Sequence, residues 1–223
     1  MFPQWRTEAL NHRLADFSPD TYPVQRSAAL YAASITLADS EGQRSCLLRL
    51  GQLHVPRDQL YEVVLQSYLF LGFPRMLKAA EVFHRIMDKG VPARKLDELQ
   101  VEDMYDWLHR GDLLCRSIYA EKFDPLKRKV SQMAPEVFQW MILEGYGKVL
   151  ARPMLDIVSR EMAILSCLMI EQHVPQLRAH VNGALNVGAP VDLIETVIDD
   201  LADIAGEGAG YAREAVRSAI EQS

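Results

Sequence analysis

This sequence predicts an all-α protein made of a duplicated helical unit. Three observations carry that expectation. Almost every apolar pattern has a helical period, no run alternates like a half-buried strand, and one stretch of chain recurs without a gap. Slid against itself by 134 residues, segment 24–72 falls on 158–206. Val24 meets Val158, Arg26 meets Arg160, Ala29 meets Ala163 and Arg44 meets Arg178. Pro56 meets Pro190, Asp58 meets Asp192, Val63 meets Val197 and Gly72 meets Gly206. Several matches fall on structural punctuation, with Pro-x-Asp before a helix and Gly after it.

The helices follow in order. Segment 59–71 keeps Leu60, Val63, Val64 and Leu71, and places Tyr61, Leu65, Tyr68 and Leu69 on its other face. A helix apolar nearly all round must be covered on both sides, so this one is expected in a subunit interface or between the halves. Segment 76–88 continues the first unit as a helix, and Gly90-Val91-Pro92 ends it. Residues 93–137 read as a charged, amphipathic connector, with helices near 94–106 and 112–121 and breaks at Pro125 and Pro135. Segment 158–170 reads as buried apart from its polar start. In 193–205, Leu193, Ile194, Val197, Ile198, Leu201 and Ile204 form one face. Asp192, Glu195, Asp199 and Asp203 fill the opposite face, which is expected to be solvated. The chain therefore divides into a first helical repeat (1–92), a connector (93–137) and a second repeat (138–223).

Composition sets the class. With 223 residues, 49% hydrophobic and 24% charged, the chain can bury a sizeable globular core. A net charge of −6 gives no electrostatic pull toward nucleic acid or an anionic membrane. No apolar run reaches the ~18 residues of a membrane span. The opening Met-Phe-Pro-Gln-Trp-Arg lacks the basic-then-apolar pattern of a signal peptide. Cys46, Cys115 and Cys167 are far apart, which argues against a disulfide framework or a zinc site and favours a reducing cytoplasm.

A longer pattern surrounds the second copy. Glu144-Gly-Tyr-Gly-Lys-Val-Leu-Ala-Arg-Pro-Met-Leu-Asp156 leads into Ser159-Arg-Glu-Met-Ala163. Then come Gln176-Leu-Arg-Ala-His-Val-Asn-Gly-Ala-Leu-Asn-Val-Gly-Ala-Pro190 and Ala205-Gly206. This combination resembles the carboxymuconolactone decarboxylase family, within the alkylhydroperoxidase D-like superfamily. The resemblance is good over 140–215 and weaker over 24–83, where Gly72-Phe73-Pro74 is similar to the family's closing Gly-x-Pro turn. It implies an all-helical fold of helical repeats that associates into trimers, hexamers or other closed oligomers, and with the apolar 59–71 helix a trimer is expected first and a dimer second.

The resemblance places an acid–base pair at Glu161 and His180. If 158–170 and 173–187 form an antiparallel hairpin, Glu161 lies about 15 Å and His180 about 10 Å from the turn, within side-chain reach of one another. A carboxylate beside an imidazole holds its tautomer and makes a proton-transfer unit suited to neutral pH. The alternative is a buried polar pair that merely satisfies itself. In the first copy Ser27 stands opposite Glu161 and Cys46 opposite His180, so any such site belongs to the second copy alone. Arg178 and Arg152 are candidates to hold a substrate carboxylate. Arg160 is better read as a structural pairing group, because Arg26 repeats it without the other site residues.

Other chemistries fit less well. The thiol peroxidase branch needs Cys-x-x-Cys-x-x-x-His, but here the stretch reads His173-Val-Pro-Gln176-Leu-Arg-Ala-His180. Cys167 sits in an apolar run and reads as inert core. Classical decarboxylases resemble a pattern with His where this chain has Asp200, and an aromatic where it has Leu150. His173 and His180 are seven apart with Glu171 nearby, but Pro175 interrupts the spacing and no third ligand has a local motif, so no metal is expected. Trp140 and Tyr146 read as core aromatics. Two functions remain. One is a cofactor-free lyase or isomerase acting on a small organic acid or lactone. The other is a non-catalytic oligomeric helical binding protein.

Overall fold

The computed structural model describes residues 2–89, 98 and 100–221. The chain forms two compact units, one of Met1–Val91 with Met154–Ser223 and one of Pro92–Pro153. The first unit begins with α1 (Gln4–Asp16), α2 (Pro23–Leu37), α3 (Ser40–Gln52) and α4 (Arg57–Met87). The second contains α5 (Val101–Tyr119), a 3₁₀ turn, α6 (Phe123–Met133), α7 (Pro135–Trp140) and a π-helix (Met141–Leu150). The first unit resumes with α8 (Ile157–Glu171), α9 (Val174–Asn186), α10 (Val191–Ala205) and α11 (Glu207–Glu221). No strand occurs among the described residues.

The duplication is written into the element bounds. Moved by 134 residues, α2 becomes α8, α3 becomes α9, and Arg57, the start of α4, becomes Val191, the start of α10. Ala38 and Gln172, at the same place in each copy, both end their helices with left-handed backbone (φ 58° and 57°). Gly72 interrupts α4 with φ 76°, and its counterpart Gly206 ends α10 with φ 61°, a conformation costly for any side chain. The part of α4 beyond Gly72 lands on α11. The repeat is thus four helices long, one more than the identities reveal. Pro74 sits in the first turn after that break, where its missing N–H costs nothing.

The two copies embrace through α2 and α8, which are buried along nearly their whole lengths. The polar start of α8 is buried too, contrary to expectation. Asp156 caps the helix by accepting from the Ser159 amide at 2.9 Å. Arg160, fully buried, donates to Leu155 O at 3.1 Å, Gln66 Oε1 at 3.2 Å and Glu62 Oε2 at 2.9 Å. Its counterpart Arg26 donates to Asp200 at 2.7 and 3.0 Å. Positions 66 and 200 are themselves counterparts, so each copy's arginine reaches the same place on the other. That reciprocity is the signature of an isologous two-fold interface folded into one chain.

The N-terminal segment straps both copies. Arg6 donates to Ile170 O at 2.9 Å, near the end of α8, and Arg13 pairs with Asp200. In the second unit, α5 lies so close to the π-helix that a Cβ on Gly111 would overlap Ile142 O, and one on Gly147 would overlap Trp107 O. α5 is continuous through 107–111, where sequence suggested two helices. The expected start near 94 and the ending Gly90-Val91-Pro92 lie outside the described residues. Residues 138–153, read with the second repeat, fall in this unit. Tyr146 is buried, but Trp140, expected in a core, is 61% exposed.

The outer faces of α4 and α10 differ as their sequences do. Asp192, Glu195, Asp199 and Asp203 are exposed. Tyr61, Leu65, Tyr68 and Leu69 are half-buried, and beyond the break Phe73 and Leu77 are exposed.

Candidate functional site

The α8–α9 hairpin brings Glu161 and His180 together. The αL cap at Gln172 reverses the chain, and the eleven- and eight-residue distances from it set the two side chains about one turn apart. Glu161 Oε2 lies 2.8 Å from His180 Nδ1. Glu161 is 0% exposed and His180 6%. Phe70, on α4 of the first copy, presents its ring edge-on to the imidazole at 5.7 Å. His180 Nε2 makes no hydrogen bond among the described residues, and Glu161 Oε1 is buried without a partner. With Nδ1–H donating to the carboxylate, Nε2 is the ring atom left to accept or return a proton.

Arg178 and Arg160 are directed elsewhere. Arg178 precedes His180 by two residues, about 200° around the helix, and is exposed on the other side. Arg152 belongs to the Pro92–Pro153 unit. Arg160 is engaged by Glu62 and Gln66. Asp200, where sequence noted a carboxylate in place of a histidine, is 8% exposed and receives both Arg26 and Arg13. Sequence reasoning missed Glu62, Gln66 and Phe70. A signal existed for one of them, since sliding the chain on itself already sets Gln66 against Asp200.

His173 is exposed at the N-cap of α9, and Pro175 sits in that helix's first turn rather than interrupting it. Among the described residues no group of three or more His, Cys, Asp or Glu side chains is placed to hold a metal ion. Burial pushes the Cys46 and Cys115 thiols up to about 12 and the Cys167 thiol to about 11, so their thiolate forms are scarce near neutral pH.

Residues 135–218 match the model of the Carboxymuconolactone decarboxylase family. The matched segment is similar to that family over part of the chain. It runs from α7 into α11 and contains both members of the Glu161–His180 pair. The chain is also 24% identical to Peroxisomal protein 2 of Schizosaccharomyces pombe over 152 residues, 67% of this chain and 70% of that protein. No helix among the described residues is long and apolar enough to cross a membrane.

Proposed function

We propose that this carboxymuconolactone decarboxylase-like protein is a cofactor-free lyase or isomerase whose proton carrier is the Glu161–His180 pair. The observation that carries this reading is the 2.8 Å bond from His180 Nδ1 to the Glu161 carboxylate, with Nε2 making no hydrogen bond among the described residues. Nε2 takes a proton from the carbon beside a substrate carbonyl. Glu161 offsets the charge of the resulting imidazolium, and the same nitrogen returns the proton to the product. The arginines of α8 and α9 are engaged or face away, and the pair itself holds a carboxylate. Of the two substrate types, small organic acid or lactone, the uncharged lactone fits better. Turnover of lactones in a substrate screen, compared with His180→Gln, tests the proposal. Full activity in that variant would overturn it and leave a non-catalytic oligomeric binding protein.

The half-buried outer face of α4, with Phe73 and Leu77 exposed beyond it, favours a homo-oligomer, a trimer first and a dimer second. A stable 25.3 kDa particle in light scattering would refute that. Three free, buried cysteines favour a reducing compartment, the cytoplasm first. The name of the yeast relative makes the peroxisome the alternative, and imaging of a tagged chain separates the two.

A further inference from the structure

The first copy's hairpin, α2 and α3, is buried yet polar. Where the second copy has Leu165, Leu168 and Leu177, it has Tyr31, Ser34 and Gln43. Where the second has Glu161 and His180, it has Ser27 and Cys46. All five first-copy side chains are 0% exposed. Ser34 donates to Tyr31 O at 2.7 Å. Among the described residues, four other atoms have no hydrogen-bond partner: Ser27 Oγ, Tyr31 OH, and both Nε2 and Oε1 of Gln43.

These groups share one interior. Tyr31 and Cys46 are close enough to interact electrostatically, and the Cys46 thiol bonds to Ser34. Gln43 lies one turn before Cys46 on α3, and Ser27 one turn before Tyr31 on α2, so each pair shares a helix face. Folded interiors rarely leave an amide, a phenol and a hydroxyl unsatisfied together. A hairpin kept only as scaffold would carry the leucines of its twin. Side chains 27, 34 and 46 are smaller than their counterparts Glu161, Leu168 and His180, while Tyr31 is larger than Leu165.

We infer that this hairpin encloses a buried hydration site, with at least two internal water molecules held by Ser27, Tyr31 and Gln43. The ligand must both donate and accept, because Gln43 presents both roles and the two hydroxyls can take either. It must be uncharged, since none of the five side chains is charged at neutral pH. It must be very small, since none of them reaches the surface. Water meets all three conditions. Ser27 and Gln43 stand eleven and five residues from the Ala38 cap, about 9 Å apart along the hairpin, which is more than one water spans. The first copy is therefore a wet counterpart of the site in the second.

The test is a crystal structure of the full chain that resolves ordered water, alongside the Gln43→Leu variant, which installs the second copy's residue. The parent should show two or more peaks within about 2.7–3.2 Å of these side chains, and the variant should lose the peak on Gln43. If that variant does not fold, Tyr31→Phe removes a single hydroxyl and should lose the peak bound there. Side chains that pair with one another and leave no peak would overturn the inference. So would density too extended for water.

Discussion

The two hairpins of this chain share bounds, caps and turn, yet α8–α9 holds a carboxylate–imidazole pair where α2–α3 holds a serine and a thiol. Helix bounds and caps were preserved over four helices while at least five interior positions of the hairpin changed their chemistry. The difference shows which features the fold demands and which it tolerates. Left-handed caps, broken helices at Gly72 and Gly206, and reciprocal arginines recur in both copies. The polar residues between the hairpin helices do not. The third helices differ in the same way. In α10 the outer face is acidic and exposed, whereas in α4 it is aromatic and aliphatic.

The sharpest way to break the comparison is to remove the pair from one copy and its counterpart from the other. His180→Gln should lower turnover on the order of 10²–10⁴-fold, the range for a general acid–base residue. Glu161→Gln should cost less, and the double variant little more than the worse single change, because the two act as a unit. Cys46→Ala in the first copy should leave turnover unchanged. Steady-state rates of the four variants, measured together, decide the matter.

Next in size is the reciprocal arginine pair. Arg160→Met removes the cation that pairs with buried Glu62 at 2.9 Å and should cost about 3–5 kcal/mol. Arg26→Met should cost clearly less, since Asp200 keeps Arg13, which is itself part-exposed. Urea midpoints of the two variants give the ranking, and equal losses would break the asymmetry claimed for the copies.

A smaller effect distinguishes neither copy and so sharpens the comparison. Burial raises Cys46 to about 12 and Cys167 to about 11, above the ordinary 9, and raises Tyr31 as well. The folded chain then keeps these protons longer than the unfolded one. Their contribution to stability is fully present below about pH 9 and is lost as pH climbs toward about 11 to 12. Urea midpoints should fall across that window, and an unchanged midpoint would contradict it. The smallest expected effect is that of Cys167→Ser. The variant should fold and keep the parent's activity, with no dithiol-driven peroxide reduction in either protein. Peroxide reduction in the parent that is lost in the variant would reverse this.

Much of the architecture was legible because it rests on local signals. Pro56 and Pro190 before a helix, Gly72 and Gly206 after it, and the apolar face of 193–205 each act within a turn or two. The Glu161–His180 contact was reachable from the same signals once a hairpin was assumed, since helical rise fixes the two offsets. Other features had no local trace. That Arg160 ends on Glu62 and Gln66, and Arg26 on Asp200, depends on α2 meeting α8 across 134 residues. That Phe70 borders the imidazole depends on one copy's third helix covering the other copy's hairpin. Sequence suggested separate helices near 94–106 and 112–121, whereas α5 is continuous through Gly111, where the close approach of the π-helix requires a glycine.

The sequence by itself determined an all-helical, duplicated chain, because periodicity, capping and repeat offset are properties of neighbouring residues, and its family resemblance nominated Glu161 and His180. Only the tertiary structure decided that Arg160 and Asp200 are anchors between the copies, that Arg178 faces away from the pair, and that Ser27, Tyr31 and Gln43 are each fully buried. Those outcomes depend on which helix faces cover one another, and so on contacts between residues far apart along the chain.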